Sequence, residues 1–224
     1  MPREKNRPLF EHPAPAAPTG AAAFLPEHPT LPALARAAQS CTACDLYKKA
    51  TQAVLGEGPR GAWAFFIGEQ PGDQEDLTGR PFVGPAGKVL DEALAEARIP
   101  RDEVYITNAV KHFKWEPRGK RRIHQKPTLG EVRACRPWLE AELAIVLPRV
   151  IVCLGATAAQ SLLGNQFRIT RDHGQFFDSP WAPITATLHP SAILRMPDVA
   201  QRQAARVQLV EDLKRVGERL RVAG

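Results

Sequence analysis

Carboxylates crowd a single turn of this chain. The run Gly68-Glu69-Gln70-Pro71-Gly72-Asp73-Gln74-Glu75-Asp76 follows an apolar stretch, Ala62-Trp63-Ala64-Phe65-Phe66-Ile67, and precedes Pro85-Ala86-Gly87-Lys88. The apolar stretch predicts a buried parallel strand, and Pro85 opens a predicted helix rich in Ala, Leu and Glu. Between the two stand four glycines, two prolines and four carboxylates. Open α/β sheets bind ligands in loops at the C-terminal ends of their strands. Glycines let backbone approach a flat ligand, and the acids lack partners nearby in sequence, so they are free for chemistry.

Other reactive types recur at the ends of apolar runs. Asn108 follows Val104-Tyr105-Ile106-Thr107, Gly155 follows Val150-Ile151-Val152-Cys153-Leu154, and His189 follows a run from Ile184 to Leu188. If each run is a strand, at least three of Glu69, Asn108, Gly155 and His189 share one pocket. The cysteines are Cys41, Cys44, Cys135 and Cys153. Cys41 and Cys44 form a Cys-x-x-Cys clamp. Zinc modules usually bring a second close pair, whereas one pair plus two singles suits a larger cubane cluster. Spacing does not choose between zinc and iron–sulfur, and buried structural thiols are the plainer alternative. Cys153, on a strand, is the weakest candidate ligand.

These groups must be carried by a fold of sufficient size. The chain has 224 residues, enough for one α/β domain with a sizeable core. Residues 1–30 are dense in Pro and Ala and are expected to form an arm rather than a core element, with the domain spanning 31–224. Helices are predicted over Leu31 to Gln39 and about 86–97, 130–147, 156–164 and 198–220. A long basic loop is expected from Lys111 to about Thr128, and an irregular hairpin over 166–178. Alternating strands and helices imply a single α/β/α sandwich with a mainly parallel central sheet. The net charge of +6 favours a polyanionic partner. No apolar run approaches the ~18 residues of a membrane span, and the N-terminal residues lack the apolar core of a secretion signal. A cytoplasmic protein with unpaired thiols is expected.

As an ordered set, Gly68-Glu69-Gln70-Pro71-Gly72, Arg80-Pro81-Phe82-Val83-Gly84, Thr107-Asn108 and His189-Pro190-Ser191-Ala192 resemble the uracil-DNA glycosylase superfamily. With the four cysteines they resemble its iron–sulfur family 4 branch. Gly119-Lys120-Arg121-Arg122-Ile123-His124, inside the basic loop, resembles the insertion of uracil-DNA glycosylase X (UdgX), whose members bind uracil-containing single-stranded DNA covalently, and Gln70 fits that subgroup. The likeness spans about residues 40–218. It implies a [4Fe–4S] cluster on Cys41, Cys44, Cys135 and Cys153, a structural role for that cluster, and a protein working as a monomer on uracil-containing single-stranded DNA.

Excising uracil breaks the bond between base N1 and sugar C1′, leaving an anionic base and an oxocarbenium-like sugar. The base must first be flipped out, at a cost of a few kcal/mol that is smaller in single strands. Phe82 is the expected stacking plate. Asn108 is expected to read O4 and N3–H, and the Gln70 backbone to touch the base. His189 is expected to donate to O2; one such donor is worth ~3–4 kcal/mol in comparable sites. Glu69, Asp73 and Asp76 are assigned to the cationic end. By the resemblance His124 is the nucleophile that captures C1′, with Glu69 fixing its tautomer and Asp73 or Asp76 anchoring the loop through Arg121 or Arg122.

Lys111, Lys114, Arg118, Lys120, Arg121, Arg122 and Lys126, interleaved with Phe113 and Trp115, suit phosphates and unstacked bases. Ser191 and Arg195 are expected to touch the DNA backbone. Two other readings remain open at this point. One is a family 4 enzyme that turns over and releases abasic DNA. The other is a non-catalytic DNA-binding module stapled by its metal.

Overall fold

A computed structural model describes residues 20–222. Among the described residues, seven strands and eight α-helices follow the broadly alternating order expected from the sequence. Strand β1 (Ala64–Gly68) is the start of a five-stranded sheet with β2 (Val104–Asn108), β5 (Val150–Leu154), β7 (Ile184–Thr187) and β6 (Phe176–Phe177), in the order β2-β1-β5-β7-β6. All pairings are parallel except the edge pair β6–β7. Strands β1, β2 and β5 are buried at every residue, because helices cover both faces.

Alternation along the strands divides the core in two. Phe66, Ile106 and Val152 pack under α3 (Pro85–Glu96), α7 (Pro190–Arg195) and α8 (Val199–Val222), through Leu90, Ile193 and Leu209. On the opposite face Phe65, Tyr105 and Ile151 pack under α4 (Leu129–Val146) and α5 (Ala156–Leu163), through Leu139, Leu143 and Ala158. A third cluster joins α1 (Leu31–Ala38) to α4 through Leu34 and Trp138. Its member Ala21 is fully buried in a 3-10 turn, Gly20–Phe24. That turn falls in the stretch read as an arm, yet it packs with the domain; residues 1–19 of the arm lie outside the described residues.

Three local expectations change. The acidic turn contains a short helix, α2 (Asp73–Thr78). The basic loop is folded into an antiparallel hairpin, β3 (Trp115–Arg118) with β4 (Arg121–His124), whose tip turns at Gly119 with φ +60°. The segment read as an irregular hairpin holds a short helix, α6 (Ile169–Asp172), before β6 reaches the sheet edge. Among the described residues no helix is long and apolar enough to cross a membrane.

Candidate active site

The sheet order reverses beside β1: the chain goes from β1 to β2 on one side and then to β5 on the other. Such a switch point opens a crevice at the strand ends. A cavity of about 660 Å³ occupies it, lined by Glu69, Phe82, Asn108, Gly155, His124 and His189 among others. All four strand ends singled out in the sequence therefore meet at one cavity. Parallel register places Gly68 beside Asn108. A Cβ on Gly68 would lie 2.3 Å from Asn108 Oδ1 and 2.7 Å from Phe82 Cζ. Only a glycine lets the amide and the ring approach this closely.

Phe82 adopts φ +55°, a left-handed conformation that costs about 1–3 kcal/mol in a non-glycine residue. Its surroundings enforce it. Gly87 sits so close that a Cβ there would be 1.7 Å from the Phe82 carbonyl oxygen, and Gly84 N–H donates to the buried Glu75 carboxylate at 2.9 Å. The ring is thereby held at 5.9 Å from that of His189, with 27° between their planes. Asn108 is 2 % exposed, and its Oδ1 has no hydrogen-bond partner among the described residues. An unpaired buried acceptor costs about 1–3 kcal/mol, which a donor on a bound molecule would recover.

His189 caps α7. Its Nδ1 accepts from the Ser191 N–H at 3.1 Å, so the neutral ring carries its proton on Nε2. Burial, with Arg195 and then His124 adding to it, lowers its pKa to about 4. The ring is neutral at physiological pH and able to donate from Nε2. Arg195 donates to the Ser191 hydroxyl at 3.0 Å, and that hydroxyl lies 2.8 Å from His189 Nδ1. Ser191 thus orients the histidine.

His124 stands at the end of β4, with Nε2 3.4 Å from Glu69 Oε1. The other Glu69 oxygen accepts from the Thr157 hydroxyl. Partial burial lowers the His124 pKa; Glu69 opposes the shift and Arg195 adds to it. The hairpin carrying His124 is fixed on two sides. Arg122 bonds Asp73, and Asp76 at 2.6 Å, while its guanidinium lies 5.5 Å from the ring centres of both Phe113 and Trp115. The Gln70 side chain donates to the carbonyls of Lys114 (3.1 Å) and Gln125 (3.0 Å), and accepts from Lys114 N–H at 3.2 Å.

Several expected roles change accordingly. Asp76 is fully buried, and Thr51 and Arg122 hold it, so of its two expected roles it takes the loop anchor through Arg122 and not the place beside the sugar. Asp73 also lines the cavity, but its carboxylate meets Arg122. Arg122 spends its charge on these acids instead of on phosphate. Lys111 is 1 % exposed and paired with Glu142 at 2.5 Å, and Phe113 is buried, so neither can meet DNA. Lys120 and Arg121, near the hairpin tip, remain exposed. Sequence reasoning passed over Thr157, Glu75 and Glu142. Of these Thr157 had a signal in its place three residues past the end of β5, and Glu75 in its place among the carboxylates of the acidic turn.

Comparison with known proteins adds a decisive observation. The profile of the Uracil DNA glycosylase superfamily matches residues 55–214. A type-4 uracil-DNA glycosylase of Archaeoglobus fulgidus is 39% identical over 193 residues, covering 83% of this chain and 90% of that protein. The chain belongs to the uracil-DNA glycosylase superfamily, in its type-4 branch. A type-4 uracil-DNA glycosylase of Thermotoga maritima is 43% identical over 161 residues, 70% of this chain and 79% of that protein. A type-5 uracil-DNA glycosylase of Thermus thermophilus is 38% identical over 128 residues, half of this chain and 54% of that protein.

The cysteines of this type-4 chain divide into three and one. Cys41, Cys44 and Cys135 belong to the cluster between α1 and α4. Their sulfurs attract donors: Trp138 Nε1–H to Cys41 at 3.3 Å and Lys111 N–H to Cys135 at 3.2 Å. Burial pushes the Cys135 thiol up to about 12, Lys111 opposes that shift, and Cys44 and Cys41 add to it. Donated N–H groups and a nearby cation suit thiolates. Cys153 belongs instead to the sheet core with Phe65 and Ile184, and burial alone raises its pKa to about 12. Its side chain points from β5 toward the α5 face, because strand neighbours alternate. Cys41, Cys44 and Cys135 share one neighbourhood, and Cys153, the fourth assigned ligand, lies outside it. Among the described residues no three His, Cys, Asp or Glu side chains form a ready metal site.

Proposed function

We propose that this protein excises uracil from DNA, preferring single strands, and then remains attached through a bond from His124 to C1′. The observation that carries the reading is one cavity lined by both an unpaired Asn108 Oδ1 and the His124–Glu69 pair. Uracil offers N3–H to that acceptor, whereas cytosine presents an acceptor at N3. Phe82 stacks on the flipped ring. As the N1–C1′ bond breaks, its electron pair moves into the base, and His189 Nε2–H donates to the growing charge on O2.

Glu69 stabilises the cationic sugar, the lone pair of the unprotonated His124 ring nitrogen bonds to C1′, and Glu69 takes the remaining N–H proton of the alkylated ring. The proton passes through solvent to the departing uracil anion. The step exchanges one N–C bond for another, and no water is consumed. Glu69 would be held in position for this work by Thr157. A [4Fe–4S] cluster, where bound, would rest on Cys41, Cys44 and Cys135 without Cys153, and would tie α1 to α4.

A turnover enzyme is the second reading. The type-4 relatives are equally consistent with it, and in it Glu69 positions water while His124 stays unmodified. Incubation with single-stranded uracil DNA followed by a denaturing gel separates the two. A surviving protein–DNA band establishes capture. Abasic DNA with free protein establishes turnover, and intact DNA overturns both.

A further inference from the structure

A second cavity, also of about 660 Å³, adjoins the first, and Lys126 and Thr157 line both. Its walls are the first half of α4, the end of α5 and the loop running from Gly164 to Arg168. Lys126, Arg133, Arg136 and Arg168 line it, with no carboxylate and no aromatic residue. Arg136 is paired with Glu140 at 2.7 Å, and Arg168 donates to the carbonyls of Asn165 and Phe167. Lys126 and Arg133 are exposed and make no hydrogen bond or ion pair among the described residues.

From this arrangement we infer that the second cavity is a track for the phosphodiester backbone of the strand on one side of the uracil nucleotide. The inference rests on the uracil-excising reading of the first cavity and extends it to a new surface. A nucleotide flipped into the first cavity must leave its neighbours at the rim, and Lys126 stands on the rim the two cavities share. Cations without aromatic faces suit phosphates rather than unstacked bases, so the track grips the strand without reading its sequence. It adds to the exposed cations of the hairpin tip, Lys120 and Arg121, whereas Arg122 and Lys111 are occupied internally.

The test uses the full chain and two single-stranded oligonucleotides of equal length, with a non-cleavable 2′-fluorinated deoxyuridine near the 5′ end or near the 3′ end, so that the wild type neither excises the base nor is captured. Fluorescence anisotropy is read at rising salt concentration. The double variant Arg133→Ala/Arg168→Ala is expected to bind one oligonucleotide at least tenfold more weakly than the wild type and the other nearly as well. For the affected oligonucleotide the salt slope should fall by about 1.4, at roughly 0.7 per lost single-strand phosphate contact. Arg133→Lys/Arg168→Lys should restore binding, which a folding defect would not allow. Equal weakening on both flanks, or none, overturns the track. Failure of the uracil reading looks different: the wild type would bind a thymine oligonucleotide of the same length equally well and would release no base from a uracil one.

Discussion

His124 Nε2 lies 3.4 Å from Glu69 Oε1, while Thr157 bonds the carboxylate's other oxygen. One acid thus links the hairpin to the start of α5 across the mouth of the cavity. His124→Ser is expected to abolish the denaturation-resistant band while base release persists. Glu69→Gln keeps the shape but removes the charge that stabilises the cationic sugar and accepts the ring proton. Single-turnover uracil release should fall about 10²-fold or more, within the range for a positioned acid–base group. Wild-type rates in Glu69→Gln would remove the carboxylate from the mechanism.

Capture should depend on pH through His124. Its pKa lies below the ordinary histidine value of 6.5, because partial burial disfavours the imidazolium. The nucleophile is the neutral ring, so the adduct rate should be flat above pH 6.5 and fall in more acid solution, with a midpoint below that value. His189 protonates only near pH 4, so it should not contribute a limb above about 5. Stability follows the same sign. Between pH 6.5 and 4 the unfolded chain takes up a proton that folded His189 refuses, so His189 makes urea midpoints decline across that window as pH falls. A midpoint for capture above 6.5 would contradict this assignment.

Base selection should rest on Asn108 and the space that Gly68 leaves for it. Asn108→Asp replaces an amide that can both donate and accept with an acceptor, and uracil excision should fall by about 10²-fold. Gly68→Ala would push a methyl to 2.3 Å from Asn108 Oδ1 and should cost a similar factor without touching substrate. Both are read from single-turnover release of uracil and of cytosine.

Lys111 donates to Glu142 at 2.5 Å and to the carbonyl of Asn108 at 2.7 Å, and Glu142 also accepts from Tyr105, Thr107 and the Gly56 N–H. Lys111→Met would strand a buried carboxylate and is expected to cost about 3–5 kcal/mol in urea unfolding. The double change Lys111→Met/Glu142→Gln should recover part of that stability, since the neutral amide oxygen still accepts from its other donors and no unpaired charge stays buried. If the single and double variants unfold alike, the pair is not coupled.

Iron content separates the cysteines. Purified wild-type protein is expected to be brown and to absorb near ~400 nm, as iron–sulfur clusters do. Cys41→Ala or Cys135→Ala should lose both colour and iron. Cys153→Ala should keep both and lose only some core packing. Loss of iron in Cys153→Ala would show that the strand thiol reaches the cluster after all.

The sequence by itself determined the sheet and the pocket's location. Three strands with every residue apolar or small can only be buried between helices, and Glu69, Asn108, Gly155 and His189 must then fall where those strands end. Side-chain partners separated by dozens of residues were decided by the tertiary structure alone. The family likeness leaves open which arginine and which acid anchor the loop; the fold alone brings Asp73 and Asp76, 49 and 46 residues away, both to Arg122. Lys111 looks exposed until Glu142 closes over it from α4, and Cys153, already the weakest candidate ligand on its strand, is set in the sheet core by β5. Charge and residue type can be read from a chain locally. Whether a charge faces solvent or a buried counter-charge depends on which distant elements pack together, and no local pattern contains that information.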